Sequence, residues 1–264
     1  MSAPANGTVD RWAWDYVHTT DLAMKLAPPP PPREWERDPP ARRIASPGGP
    51  SALAPAARRL KTPSAEALRD PKRRAQLLHT FLHHELQAAE LMCWAVLAFP
   101  DAPPALRRGL IGVALDEVRH MNMYGAHIEH LGHAVGDFPV NDWFWDRVPQ
   151  STTSAHFLAT MGMGFEAGNL DHTRRFAERF RAVGDDVGAR LHAIVAEEEV
   201  PHVRLGTHWF RVLTGDLEFD TWRAHLPPPL SPMVMQGRPI DRDARLSAGF
   251  TEAFLDRLAS WQPT

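Results

Sequence analysis

Residues 116–120 read Asp-Glu-Val-Arg-His and residues 198–202 read Glu-Glu-Val-Pro-His, so an acid-Glu-x-x-His sequence occurs twice. Each copy lies in a long segment whose pattern predicts a helix. Residues three positions apart lie on one face of a helix, so each copy can direct a carboxylate and an imidazole at one point. The repeat indicates two equivalent pairs of metal ligands, Glu117 with His120 and Glu199 with His202.

A further glutamate precedes each copy at nearly the same distance. Glu85 lies 32 residues before Glu117, and Glu166 lies 33 residues before Glu199. In the first pair a turn at residues 101–102 is almost midway, so the chain travels roughly 24 Å out and a similar distance back at about 1.5 Å per residue. The two glutamates of a pair therefore lie at one height on adjacent antiparallel helices. We predict that all six side chains converge.

The segments around these residues predict two helical hairpins. Helices are expected over residues 72–99 and 105–131, and over 154–183 and 186–213, with prolines or glycines at the turns. Residues 132–152 form a long crossover between the second and third helices, and no segment alternates convincingly in the manner of a strand. This arrangement predicts an all-α chain with a ferritin-like four-helix bundle.

The two ends of the chain differ in composition from this bundle. Residues 1–70 contain a proline run at 28–32 and other Pro and Gly clusters, which disfavour helix. A disordered linker is one interpretation, but the tryptophans of this segment favour an arm that wraps the bundle. We therefore predict an N-terminal arm over residues 1–70, a bundle over 71–215, and an extension over 216–264 that carries an extra helix near residues 244–260.

Six ligands of this type suit two first-row metal ions. Carboxylates can bridge two cations, four negative charges balance two divalent ions, and each imidazole supplies one nitrogen. Four glutamates facing one another in a core without a cation would cost many kcal/mol through desolvation and repulsion. The donor set predicts two iron ions, with manganese as an alternative at one or both sites. The opposing interpretation is that these glutamates are exposed surface acids on amphipathic helices.

Several motifs resemble those of the DUF455 family of the ferritin-like superfamily, over about residues 26–250. They are His84-Glu85, Asp116-Glu117-x-Arg119-His120, Phe165-Glu166-Ala167-x-x-Leu170-Asp171, Glu198-Glu199-x-x-His202, Gly136-Asp137-Phe138-Pro139, Gly206-Thr207-x-Trp209-Phe210 and Ala244-Arg245-x-x-Ala248-Gly249-Phe250. The resemblance implies a di-metal carboxylate bundle related to di-iron proteins, including a tRNA-hydroxylating MiaE-like branch. Pro201 inside the last ligand pair, and Gly168 where such families often carry Arg, depart from the pattern.

Other residues are candidates for the surroundings of the metal ions. Asp116 and Glu198 directly precede ligands, and we expect them to hydrogen-bond the outer nitrogen of a ligand histidine. Tyr124 lies one turn beyond the ligand histidine of its helix, so it either borders the site or packs in the core. Glycines surround Glu166 and permit either a π-bulge or a close helix contact. These glycines are residues 162, 164 and 168.

These features predict a non-haem di-iron oxygenase or oxidase. Two Fe(II) ions would bind dioxygen as co-substrate and reduce it with one electron each, and the resulting oxidant would hydroxylate or desaturate a small-molecule substrate. An external electron donor would then reset the metals. Two alternatives are ferritin-like iron oxidation or storage, and a non-enzymatic binding protein with structural metals whose arm recruits a partner.

Composition and charge restrict the partners. The formal net charge of −3 argues against nucleic acid, although a tRNA substrate could use one modest basic cluster at residues 58, 59, 61 and 72–74. The only cysteine, Cys93, rules out an intramolecular disulfide and a thiolate-rich metal site. Residues 1–26 lack the apolar core of a signal peptide, and no apolar stretch approaches the roughly 20 residues of a membrane span. We expect a cytoplasmic protein without membrane contact, and a homodimer is left open.

Overall fold

The computed structural model describes residues 1–54, 63–237 and 239–263, and its regular structure is helical. Within these ranges there is no β-strand, and one isolated bridge links Thr8 to Glu34. The chain forms two compact units, Met1–Pro149 and Gln150–Thr264. Each unit contains one of the two helical hairpins, which confirms the all-α class. The region boundaries at residues 70 and 215 stay predictions.

The first unit opens with two short helices, α1 (Val9–His18) and α2 (Leu22–Leu26). Its hairpin consists of α3 (Pro71–Ala98) and α4 (Pro104–His130), and both helices lie within one residue of their predicted limits. Each begins with proline, whose missing N–H would have had no partner in a first helical turn. The Asp70 side chain caps α3 by accepting a hydrogen bond from the Lys72 amide at 2.9 Å.

The N-terminal arm packs against this hairpin. The Arg42 amide donates to the Leu97 carbonyl at 2.8 Å, and the Trp94 indole donates to the Ile44 carbonyl at 3.0 Å. The Arg107 guanidinium, on α4, donates to Asp10 of the arm at 2.5 Å. Because these contacts are buried or largely buried, the described part of the arm is a folded part of the first unit rather than a free linker.

The second unit contains the other hairpin. Its first half is one continuous helical rod that consists of α5 (Ser154–Phe157), a π-helical segment (Leu158–Phe165) and α6 (Glu166–Ala182). Its second half is α7 (Asp186–Thr214). Gly184, with φ of 79°, lies in the turn between them. Three short helices follow: α8 (Phe219–Ala224), α9 (Arg242–Ser247) and α10 (Glu252–Ser260).

The C-terminal extension differs from the expectation of one helix near residues 244–260. This region forms two helices, α9 and α10, instead of one. Gly249 adopts a φ of 94°, which is incompatible with a continuing α-helix. The Thr251 side chain then caps the new helix by accepting from the Phe254 amide at 3.1 Å.

The glycine-rich stretch before Glu166 combines both predicted alternatives. It forms the π-helical segment, and it also lies against α7 at a point where both helices carry glycine. A Cβ added to Gly162 would lie 3.0 Å from the Gly206 Cα, which is shorter than ordinary van der Waals contact. The backbones therefore approach closely because neither residue has a side chain.

Replacing Gly162 with Ala is expected to destabilise the protein by about 1–3 kcal/mol, because the clashing atom belongs to a helix backbone that cannot turn aside. Gly112 on α4 is the matched control, since it is exposed and has open space around its Cα. Gly112→Ala should stabilise the protein by about 0.5–1 kcal/mol. Urea unfolding of both variants checks this, and effects of the same sign would contradict the close contact.

Candidate metal centre

Three of the predicted ligands meet inside the first unit. Glu85 comes from α3, and Glu117 and His120 come from α4. Each offers one ligand atom, and these atoms lie within 4.8 Å of one another. The exposed fractions of the residues are 2%, 0% and 0% respectively. The hairpin therefore brings Glu85 level with Glu117, as the spacing about the turn predicts.

The spacing of the ligands on α4 fixes their mutual geometry. Glu117 and His120 are three residues apart, and the Nδ1 atom of the imidazole lies 3.0 Å from the Oε2 atom of the carboxylate. Lone pairs on two atoms at that distance repel each other unless a hydrogen atom or a cation lies between them. An N–H at Nδ1 provides a hydrogen bond, and a metal cation can take the place of that proton.

The second unit repeats this local arrangement on α7. The Nδ1 atom of His202 lies 3.3 Å from the Oε2 atom of Glu199, again between residues three apart. The side-chain amide of Asn169 donates to the other oxygen of Glu199 at 3.4 Å. Pro201 lies inside α7 without ending it, so this departure from the family pattern is accommodated locally.

Glu166 begins α6 directly after the π-helical segment, and its exposed fraction is 2%. Gly168, the other departure from the family pattern, lies two residues further along. A Cβ at Gly168 would lie 3.1 Å from the Val234 carbonyl oxygen, so a larger residue would require the chain near Val234 to shift.

All six predicted ligands are buried, and the interpretation as exposed surface acids is therefore wrong. Their convergence at one centre stays a prediction.

The remaining candidates have different environments. Asp116 and Glu198 are half-buried, and Asp116 accepts a hydrogen bond from Arg119 at 3.4 Å. Tyr124 is fully buried, with its ring centroid 5.8 Å from that of Phe81. This is a core-packing environment. The proposed roles of these three residues beside the metal ions stay predictions.

Sequence reasoning missed a buried ion pair in the first unit. Glu90 lies five residues after Glu85, and its Oε1 atom accepts from the Lys25 ammonium at 2.6 Å. Its Oε2 atom accepts from the Trp145 indole at 2.8 Å. Burial raises the pKa of Glu90, and the nearby Lys25 charge opposes that rise. The pair attaches the arm to the helix that carries Glu85.

An equivalent pair lies in the second unit. Asp171 lies five residues after Glu166, and the guanidinium of Arg245 donates to its Oδ2 atom at 2.8 Å and to Oδ1 at 3.3 Å. The amides of Gly237 and Asp241 also donate to this carboxylate, at 2.9 and 2.6 Å. The equal spacing of the two acids was visible in the sequence. The bases were not predictable, because they come from segments far away along the chain.

His79 provides a test of pH dependence away from the ligands. Burial, with a smaller contribution from His83, lowers the pKa of His79 to about 4. In the unfolded chain the pKa is about 6.5, so the unfolded state binds more protons between these values, and stability falls as the pH decreases from about 6.5 to 4. The total loss from this residue is roughly 3 kcal/mol.

The His79→Gln variant should lose less stability than the wild-type protein over the same pH range, as measured by urea unfolding at pH 7 and pH 4.5. Gln offers an oxygen that can replace the Nε2 atom, which accepts from the Gly136 amide at 2.8 Å. Imidazole NMR signals of His79 that titrate above pH 5.5 would contradict the account.

The structure bears in part on the predictions about nucleic acid and membrane partners. Residues 58, 59 and 61 of the basic cluster lie outside the described residues, whereas residues 72–74 occupy the first turn of α3. None of the helices in the described part of the chain is both long and apolar enough to cross a membrane. The cytoplasmic location stays a prediction.

Comparison with known proteins gives a family but no activity. The model of DUF455, described as a protein of unknown function, matches residues 10–256. An uncharacterized protein of Haemophilus influenzae is 28% identical over 195 residues, which cover 69% of this chain and 66% of the relative. The chain thus spans just under two thirds of that relative's length. No solved structure matches the chain. The chain belongs to the DUF455 family.

Proposed function

We propose that this chain is a ferritin-like di-metal carboxylate protein that acts as a non-haem di-iron oxygenase or oxidase. The observation that carries the proposal is the buried group of Glu85, Glu117 and His120, whose ligand atoms lie within 4.8 Å of one another. Two carboxylates at this separation in a core repel each other and have lost their hydration. A divalent cation offsets both costs, and the oxygen and nitrogen donors suit iron or manganese.

The second unit supplies the other half of the proposed centre. Its Glu199 and His202 repeat the spacing and burial of Glu117 and His120, and Glu166 repeats the position of Glu85. We propose that the two hairpins assemble as a four-helix bundle in which the two sets face each other. Their four negative charges would then balance two divalent cations, which neither set can do alone.

In the proposed centre, the metal ions and the residues of the chain have different roles. Two iron ions, when bound, supply one-electron steps and a place for dioxygen. The chain holds each ligand pair on one helical face, so that donor positions are set by the helix rather than by loops. The amide of Asn169 orients Glu199, and burial of the ligands excludes bulk water. The proposed substrate is a small molecule that is hydroxylated or desaturated, and an external donor supplies electrons.

Anaerobic loading with two equivalents of Fe(II), followed by a pulse of dioxygen, tests this function. We expect oxidation of both irons, seen as a new near-ultraviolet and visible absorption and as a coupled diferric Mössbauer spectrum. The Glu117→Gln variant is the negative control, and Glu129→Gln, exposed on the same helix, is the matched control. Bound iron that stays ferrous in air would contradict the oxygenase proposal and leave only a structural metal site.

A further inference from the structure

The π-helical segment (Leu158–Phe165) lies directly before Glu166 and is buried along its whole length. In a π-helix an amide donates to the carbonyl five residues earlier, rather than four as in an α-helix. The Glu166 amide follows the π pattern, since it donates to the Met161 carbonyl. The wide turns therefore extend to the predicted ligand itself.

The winding of this segment decides on which side of the rod Glu166 lies. Each residue of an α-helix turns the chain by about 100°. If the segment rewound to α-helical bonding, Glu166 would rotate relative to α5 by roughly the angle of one residue. A rotation of that size would move its carboxylate off the buried face that it now occupies, so the π-helical form is part of what places this side chain.

The indole of Trp222, on α8, binds one carbonyl of the segment. Its Nε1 atom donates to the Ala159 carbonyl oxygen at 2.9 Å, and the exposed fraction of Trp222 is 0%. The same oxygen lies close to Gly164, where an added Cβ would be 3.2 Å from it, so a side chain there would crowd the acceptor. Rewinding would move this carbonyl and leave a buried indole N–H unpaired, which is unfavourable. The bond therefore favours the π-helical form.

Aromatic side chains of the C-terminal extension hold Trp222 in place. Its ring centroid lies 5.7 Å from that of Phe219 and 5.6 Å from that of Phe254. The Phe254 ring in turn lies 4.9 Å from that of Phe250, and all three phenylalanines are buried. Closely packed core side chains have fixed rotamers, so the direction of the indole N–H is fixed as well. The extension thus contacts the π-helical segment through a hydrogen bond of defined direction.

We propose that Trp222 is a positioning residue for the metal centre. Its indole N–H keeps residues 158–165 π-helical, and this winding keeps Glu166 on the face from which it binds a metal ion. Because Glu166 is a ligand only in the proposed function, this role of Trp222 rests on that function. Trp222 itself binds no metal and acts through the Ala159 carbonyl. The C-terminal extension is then part of the machinery that shapes the centre.

The Trp222→Phe variant of the full chain tests the proposal, because it keeps an aromatic ring but removes the indole N–H. The matched control is Trp94→Phe, since Trp94 is equally buried and its indole donates to the Ile44 carbonyl of the first unit at 3.0 Å. Hydrogen exchange of the metal-free proteins, followed by mass spectrometry, is the first readout. Over residues 158–166, exchange should be faster by roughly fivefold or more in Trp222→Phe and unchanged in Trp94→Phe.

Anaerobic titration with Co(II), whose visible absorption depends on its ligands, is the second readout. We expect the wild-type protein and Trp94→Phe to bind two ions with the same affinities and spectrum. Trp222→Phe should bind one of the two ions more weakly, by about tenfold or more, with a changed spectrum. A purely structural role would instead lower the stability of both variants in urea and leave the affinity and spectrum of Co(II) unchanged.

Gly164→Ala is a second variant should Trp222→Phe fail to fold, because its methyl group would crowd the same carbonyl, and it should give the same two results. Unchanged exchange over residues 158–166 would overturn the role of Trp222. Faster exchange with wild-type affinity and spectrum for Co(II) would overturn it too, while the proposed function would stand. A wild-type protein that binds no Co(II) would instead overturn the proposed function, and the role of Trp222 with it.

Discussion

The Glu117→Gln variant is expected to lose at least half of the metal that the wild-type chain binds. Glu117 is fully buried beside His120, so its carboxylate has little hydration to lose when a cation binds. Glutamine has nearly the same shape but no charge, and it cannot bridge two cations as a carboxylate can. Loss of a residue that only orients a ligand typically weakens metal binding about 10–100-fold. Loss of a direct ligand should weaken it more.

The measurement is metal content by mass spectrometry after dialysis, combined with urea unfolding of the metal-free proteins. Glu129→Gln, exposed on the same helix, should keep the full metal content. The metal-free Glu117→Gln protein should be at least as stable as metal-free wild type, because it no longer buries that charge. A variant that keeps its metal, or that is markedly less stable without metal, would indicate that Glu117 has a purely structural role.

The Lys25→Met variant is expected to lower the free energy of unfolding by about 3–5 kcal/mol. The Lys25 side chain has no exposed area, and its ammonium donates to Glu90 and to the carbonyls of Tyr16 and Val17. Removal of the cation leaves the Glu90 carboxylate buried, with the Trp145 indole as its remaining hydrogen-bond donor in the described part of the chain. The pKa of Glu90, which burial already raises, should then rise further.

A double variant separates the burial of charge from the loss of packing. Lys25→Met with Glu90→Gln removes both charges and should recover most of the lost stability, because Gln can still accept from Trp145. Arg11→Met is the control, since Arg11 pairs with Asp15 at 2.8 Å on the surface and should change stability by no more than about 0.5 kcal/mol. Equal losses in the single and double variants, measured by urea unfolding, would contradict the ion-pair account.

The helices were predictable because their signals are local. Pro71 and Pro104 start α3 and α4, neither helix has a proline in its interior, and proline or glycine follows each end closely, so the limits were correct to one residue. The register of Glu85 and Glu117 was also predictable, since it depends only on rise per residue and on a turn near the midpoint. The division of the C-terminal extension at Gly249 was missed because a single glycine does not by itself end a helix.

Interactions between distant segments were not predictable from the sequence. Nothing local indicates that Lys25 pairs with Glu90, or that Arg245 pairs with Asp171, because each base lies more than sixty residues from its acid. Such pairs form only once the arm and the C-terminal extension pack on their hairpins. The same reason explains why the burial of the six predicted ligands needed a structure, whereas their choice as candidates needed only the repeated spacing.

The metal content of the purified wild-type chain, determined by mass spectrometry together with its protein concentration, shows whether the six buried side chains hold two metal ions. We expect close to two iron or manganese ions per chain, retained on dialysis and removed only by strong chelation. A chain that binds less than about half an ion after anaerobic loading with Fe(II) or Mn(II) would contradict it. The buried glutamates would then require another source of positive charge.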